Sequence, residues 1–255
     1  MKLGAPVAFV VILLAVLALA GGCSWNWLKP LPTPILPADE LYANGEKELD
    51  KRRYEDARQN FKKIVERHPN SVQAPRARFL IGEAFYRESE FEKAIKEFDT
   101  FMSFYPRHEI ADLVQYRLAT AYYDQMKPVE QDQGLTIKAM AALKKLVKEY
   151  PESRYATDAL AKIDLCRGRL AQKELWVATY YFNQGNPSAA RQRLELVLRE
   201  YPRTLVIPET LYLLATVNLR EGRDADGIEL LRRLTREFGY TEWGKHATEQ
   251  LSARR

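Results

Sequence analysis

One spacing constrains this chain more than any other feature. Five segments end alike: Arg67-His-Pro69, Phe104-Tyr-Pro106, Glu149-Tyr-Pro151, Glu200-Tyr-Pro202 and Glu237-Phe-Gly239. Twelve residues before each ending stands a small residue: Ala57, Ala94, Ala139, Ala190 and Gly227. Twelve further back, four of the units again hold a small residue, at Gly45, Gly82, Ala178 and Ala215. Proline cannot continue a helix, and small side chains on two facing helices let their backbones approach. The pattern therefore predicts pairs of helices, each pair closed by its proline. One such pair cannot bury its apolar stripe alone, so the units must stack on one another.

Small residue, small residue and proline at steps of twelve resemble the tetratricopeptide repeat. The fold this implies is an all-α solenoid of five helix-turn-helix units. Two units break the rhythm. The Pro-to-Pro intervals are 37, 45 and 51 residues, followed by 37 to Gly239. In the third unit 20 residues, not 12, separate Ala119 from Ala139, and the extra eight fall in a polar loop around Lys127-Pro-Val-Glu-Gln-Asp-Gln-Gly134. In the fourth unit Ala178 follows Pro151 by 27 residues, 14 more than the usual 13. That interval contains no proline and only Gly168, which predicts one long inner helix from about Ser153 to Phe182. Fourteen residues make close to four extra turns at about 3.6 per turn. The long helix divides the repeats into an N-terminal block, 38–152, and a C-terminal block, 153–255, with Gly168 as the place where it could bend.

The chain ahead of the repeats reads as an export signal and a tether. Lys2 gives a positive start, Val7 to Ala20 is apolar throughout, and Leu19-Ala-Gly-Gly-Cys23 closes the run. A core of this length is shorter than the roughly 20 apolar residues of a membrane-spanning helix. The small-small-Cys ending resembles the lipobox of bacterial lipoproteins, although Ala20 stands where that motif usually has leucine. The resemblance makes residues 1–22 a signal peptide and Cys23 the acylated mature N-terminus, carrying diacylglycerol and an N-acyl chain. An ordinary signal peptide cut nearby is the other reading. By the same resemblance, Ser24 after the cysteine points to the outer membrane of a Gram-negative bacterium, facing the periplasm. Residues 23–37 hold Pro30, Pro32, Pro34 and Pro37, which favour an extended spacer. Trp25 and Trp27 suit the headgroup region, or equally a packed contact with the domain or a partner.

Charge and motif content exclude several classes. Charged residues form 29% of the chain, with Lys and Arg interleaved among Asp and Glu, which describes solvated helix faces and not a nucleic-acid stripe. If lipid occupies Cys23, Cys166 has no disulfide partner and is expected in the core, a reactive thiol being the other reading. His68, His108 and His246 show no metal-ligand spacing, and two of them sit beside repeat turns. There is no P-loop, no GxGxxG, no GxSxG and no S-x-x-K. The expectation is a binding protein, not an enzyme, without metal or cofactor. Its binding surface should be the inner helices: Tyr42, Phe79 and Tyr116 share one repeat position, and Leu49, Tyr86 and Tyr123 follow two turns later. With Glu46, Glu83, Arg76 and Arg87 nearby, these rings could line a groove for an extended aromatic-containing peptide, or could fill the inter-repeat core.

Three stretches go beyond a generic repeat: Tyr150-Pro-Glu-Ser-Arg-Tyr-Ala156, Leu170-Ala-Gln-Lys-Glu-Leu-Trp-Val-Ala-Thr-Tyr-Tyr181, and Ala189 to Pro202. With these, the chain from about Leu41 to Leu251 resembles the BamD family, the repeat lipoproteins of the outer-membrane β-barrel assembly (Bam) complex. The resemblance implies a scaffold that docks to the POTRA domains of the barrel subunit BamA, meets other Bam lipoproteins and helps receive unfolded outer-membrane proteins. It places Arg193 where the family carries an arginine near the barrel-subunit contact; an ordinary exposed arginine is the alternative. The rival function is a lipid-anchored repeat protein for pilus-secretin assembly or cell-wall coordination, because architecture alone does not fix function.

Overall fold

The computed structural model describes residues 36–254, so the signal segment, Cys23, Trp25, Trp27 and nearly all of the tether lie outside the described residues. Among the described residues the chain forms eleven α-helices and no strand. They are α1 Ala38–Asp50, α2 Tyr54–Arg67, α3 Gln73–Arg87, α4 Phe91–Phe104, α5 Ala111–Tyr123 and α6 Gly134–Glu149, then α7 Ala156–Asn183, α8 Pro187–Glu200, α9 Ile207–Arg220, α10 Asp224–Phe238 and α11 Glu242–Ser252. Consecutive helices pack against each other throughout. Odd-numbered helices also touch across units, α3 reaching α1 and α5, and α9 reaching α7 and α11, so they form the inner row. The eleventh helix is one more than five two-helix units provide, and it packs on α10 and α9.

The repeated small residues work as the spacing predicts, and the structure shows how. A Cβ added at Gly45 would stand 2.5 Å from the Phe61 ring, and one at Gly82 would stand 2.6 Å from Phe98. Both rings are fully buried. Phe61 and Phe98 sit four residues after Ala57 and Ala94; at the equivalent outer-helix positions the other units carry Leu143, Leu194 and Leu231, also fully buried. Their inner-helix counterparts are Ala119, Ala178 and Ala215, in the same core clusters. Glycine is thus matched with phenylalanine and alanine with leucine, which keeps the summed volume near constant in a close-packed interior.

The hairpin turns repeat as well. Arg52, Ser89, Gly185 and Gly222 fall seven residues after the inner small residue of their units, and all four have positive φ, from 59° to 74°. The third unit has no such turn, because its insertion begins there. Helix α7 starts at Ala156, three residues later than the sequence suggests, because Ser153 forms a local turn. The Ser153 carbonyl accepts from Ala156 N at 2.9 Å, and its Oγ accepts from Tyr155 N at 3.2 Å. The same hydroxyl donates to Asp112 Oδ2 at 2.7 Å. From there α7 runs 28 residues without interruption through Gly168.

The two irregular units fit each other. In the 124–133 loop, buried Gln133 donates from Nε2 to the carbonyl of Pro128 at 2.7 Å and accepts at Oε1 from Thr136 Oγ1 at 2.8 Å. The elongated α7 lies over this loop: Arg169 donates to the Lys127 carbonyl and Lys173 to the Glu130 carbonyl, both at 3.1 Å. Cys166 is buried with its Sγ 3.8 Å from Met126 Sδ, and burial pushes its thiol up to about 11. A thiol so placed is a core residue, without the thiolate character that reactivity requires.

Candidate functional site

The expected rings all lie on inner-row helices, and each is only partly buried. Tyr42 meets Phe61 edge-on at 5.8 Å, Phe79 stacks on Phe98 at 6.0 Å, and Tyr116 stacks on Tyr155 at 4.7 Å. Tyr86 meets Phe91 edge-on at 5.6 Å, and Tyr123 lies beneath the Lys162 ammonium at 5.1 Å. One side of each ring therefore packs into the repeat while the remainder stays accessible to solvent. Leu49 differs: it is 6% exposed and belongs to the core. The spacing alone could not separate it from the tyrosines, since all occupy equivalent helical positions.

Hydroxyl groups tie the rings to the following unit. Tyr116 donates to Asp158 Oδ2 at 2.6 Å, and Tyr86 donates to Asp124. Burial first, then the hydrogen bond to Asp124, push the Tyr86 hydroxyl up to about 12; burial and then Asp158 raise Tyr116 in the same way. Between the rings lies a charged cluster. Glu83, nearly buried, takes Arg87 Nε at 3.0 Å and Arg117 Nε at 2.9 Å, and the Arg117 guanidinium lies 5.4 Å over Tyr86. With Asp124 on the Tyr86 hydroxyl, two arginines and two carboxylates balance around this ring.

Two clefts open at the N-terminal ends of the inner helices. The first, about 430 Å³, is lined by Asp39, Tyr42, Gln73, Arg76, His108 and Glu109 among others. The second, about 340 Å³, is lined by Glu109, Asp112, Leu113, Ser153, Arg154 and Tyr155 among others. Both share Glu109, which pairs with Arg76 at 2.6 Å; this hydrogen bond holds the Glu109 carboxyl below its usual range. Of the expected rings only Tyr42 lines a cleft; Phe79, Tyr86, Tyr116 and Tyr123 line neither. Among the described residues no group of His, Cys, Asp and Glu could hold a metal ion.

Arg193 lies on a separate surface, on α8. Its Nη1 is 2.9 Å from Glu174 Oε2 on α7, and the arginine side chain is 44% exposed. Glu174 belongs to the Leu170–Tyr181 run, whose Trp176 and Tyr180 are 42% and 54% exposed. Lys173 covers the Trp176 ring at 4.5 Å. The repeat pattern marks neither ring as a surface group. Their signal was present, because Trp176 follows buried Leu175 by one residue, and about 100° of helical rotation carries it off the core face.

Geometry and repeat pattern together define a tetratricopeptide-type helical-repeat protein. Comparison with known proteins narrows the class. The chain belongs to the YfiO family of outer membrane lipoproteins, whose sequence model matches residues 35–230. It is similar to the outer membrane protein assembly factor BamD of Caulobacter vibrioides, with 32% identity over 89% of this chain and 76% of the relative. It is also similar to BamD of Rickettsia prowazekii, 27% identical over 92% of this chain and 93% of that one. Among solved structures, a TPR repeats protein from Bacteroides fragilis is 14% identical, covers 86% of this chain and 99% of its own, and has a TM-score of 0.49.

Proposed function

We propose that this chain is a non-enzymatic scaffold of outer-membrane β-barrel protein assembly. The likeness to assembly factors along nearly the whole chain carries this reading. As a member of a family of outer membrane lipoproteins, the protein associates with the outer membrane. The finer reading has Cys23 acylated, the repeats facing the periplasm, and the tether giving the solenoid reach. The inner row from Tyr42 to Tyr155 receives extended segments of unfolded outer-membrane proteins. Other Bam lipoproteins share the scaffold.

The C-terminal repeats meet the POTRA domains of a BamA-type barrel protein, with Arg193 at the contact. The exposed guanidinium supports this role. A carboxylate on the partner can replace Glu174, so one ion pair is exchanged for another as the surface desolvates. The neighbouring Trp176 and Tyr180 supply the accessible aromatic area that such contacts use. The test is Arg193→Glu in the full-length, lipidated protein, with capture of the barrel subunit as readout. Capture should fall about tenfold or more, since truncating or reversing one partner of a desolvated pair costs about 2–5 kcal/mol. Undiminished capture by a folded variant would remove Arg193 from the contact.

A further inference from the structure

We propose that the outward face of α6 is an electrostatic contact for anionic phospholipid headgroups, separate from the acyl anchor. The proposal rests on the outer-membrane association stated above. The exposed residues of α6 include Ile137, Lys138, Ala141, Lys144, Lys145 and Lys148, which share about a third of the helix circumference. Four ammonium groups therefore line one strip of about 15 Å.

This face stands apart from the other outer helices. Four lysines against Glu149 give α6 a net charge of +3. Counted the same way, α2 is +1 (four basic, three acidic), α4 is −1 (two, three), α8 is +1 (three, two) and α10 is −1 (three, four). The charge on α6 is also little neutralised. Lys145 reaches Glu149 only at 4.0 Å, and its field also bears on the Asp99 carboxyl of α4. Lys138 lies 5.9 Å over the Tyr122 ring, while Lys144 and Lys148 form no ion pair among the described residues.

The residue type points to lipid and not to a protein partner. Across the whole chain arginine outnumbers lysine, 23 to 16, and α8 and α10 carry arginine alone. Helix α6 carries lysine alone; so does α4, whose two lysines are outnumbered by three acidic residues. Protein interfaces favour arginine, whose planar fork makes directional paired hydrogen bonds, and are depleted in lysine. A phosphate layer asks for less: a flexible, hydrated point charge that finds mobile headgroups, each contributing about 1 kcal/mol near an anionic surface. Ile137, 53% exposed at the first turn, adds an apolar group at the level of the lysine stems.

The test uses the chain from Ala38 onward, because all four core clusters and all eleven helices lie within that compact unit. Vesicles of phosphatidylcholine alone are compared with vesicles containing phosphatidylglycerol, by co-sedimentation. Preference for the anionic vesicles should be about tenfold or more and should collapse in high salt. It should also be lost when Lys138, Lys144, Lys145 and Lys148 are changed to Gln, a residue of similar helix propensity. The pair Lys144→Gln and Lys148→Gln, expected to lose part of it, serves if the fourfold variant misfolds. Equal binding to both vesicles, no binding, or a preference intact in the folded Gln variant would overturn the proposal. Binding to an acidic polypeptide but not to vesicles would overturn it too, making this face a protein surface. Capture of the barrel subunit by the full-length Gln variant is read separately, so failure here does not touch the assembly reading.

Discussion

At the scale of single residues, the fold rests on matched volumes. Gly45 faces Phe61 and Gly82 faces Phe98, where the later units place Ala with Leu. Gly45→Ala should destabilise by about 1–3 kcal/mol, because the new methyl enters a filled site. Adding Phe61→Leu, which reproduces the pair of the third unit, should recover part of that loss. A double-mutant cycle by chemical denaturation measures the coupling, and strict additivity would refute the matching. Tyr86 gives a second residue-scale expectation. Its folded-state pKa of about 12 exceeds the ordinary phenol value of about 10, so folding favours the protonated ring. The stability it contributes is complete below about pH 10 and is lost as pH rises through about 12. Denaturation midpoints should fall over that window, and less so in Tyr86→Phe. If the two proteins fall in parallel, Tyr86 is not responsible. The small residues were legible in the sequence because only a close backbone approach demands them. Which tyrosines stay accessible was not, since exposure depends on the next unit: Tyr155 and Asp158, which hold Tyr116, lie about forty residues away.

At the scale of elements, helix α7 and the 124–133 loop form one structure. The sequence announced both irregularities by their lengths, eight and fourteen residues beyond the repeat, and each was legible alone. That they meet was not, because Arg169 and Lys173 bind main-chain carbonyls, which any loop sequence presents. The start of α7 was also beyond reach, since the Ser153 turn depends on Asp112 of the preceding unit. The buried amide of Gln133 is the centre of this joint, accepting from Thr136 and donating to loop carbonyls. Gln133→Ala should leave those groups unsatisfied and cost about 1–3 kcal/mol. Amide exchange should then rise in 124–135 and in the middle of α7, with α1 to α4 unchanged. Exchange that rises uniformly along the chain would mean the loop is not a local latch.

At the scale of the molecule, repeated units make a scaffold whose surfaces differ while its core stays regular. The inner row offers accessible rings and two clefts, α8 with α7 offers Arg193, Trp176 and Tyr180, and α6 offers four exposed lysines. Helical periodicity is enough to specify the architecture, because every unit must bury the same stripe. Periodicity offers no partner; the expectation of one rests on resemblance along particular runs such as Leu170–Tyr181. Capture of the tagged, full-length protein from its own outer membrane in mild detergent, with mass spectrometry of what comes with it, tests the central claim most directly. The account predicts a β-barrel protein bearing periplasmic POTRA domains in stoichiometric amount. A secretin, or cell-wall enzymes without that barrel subunit, would contradict it.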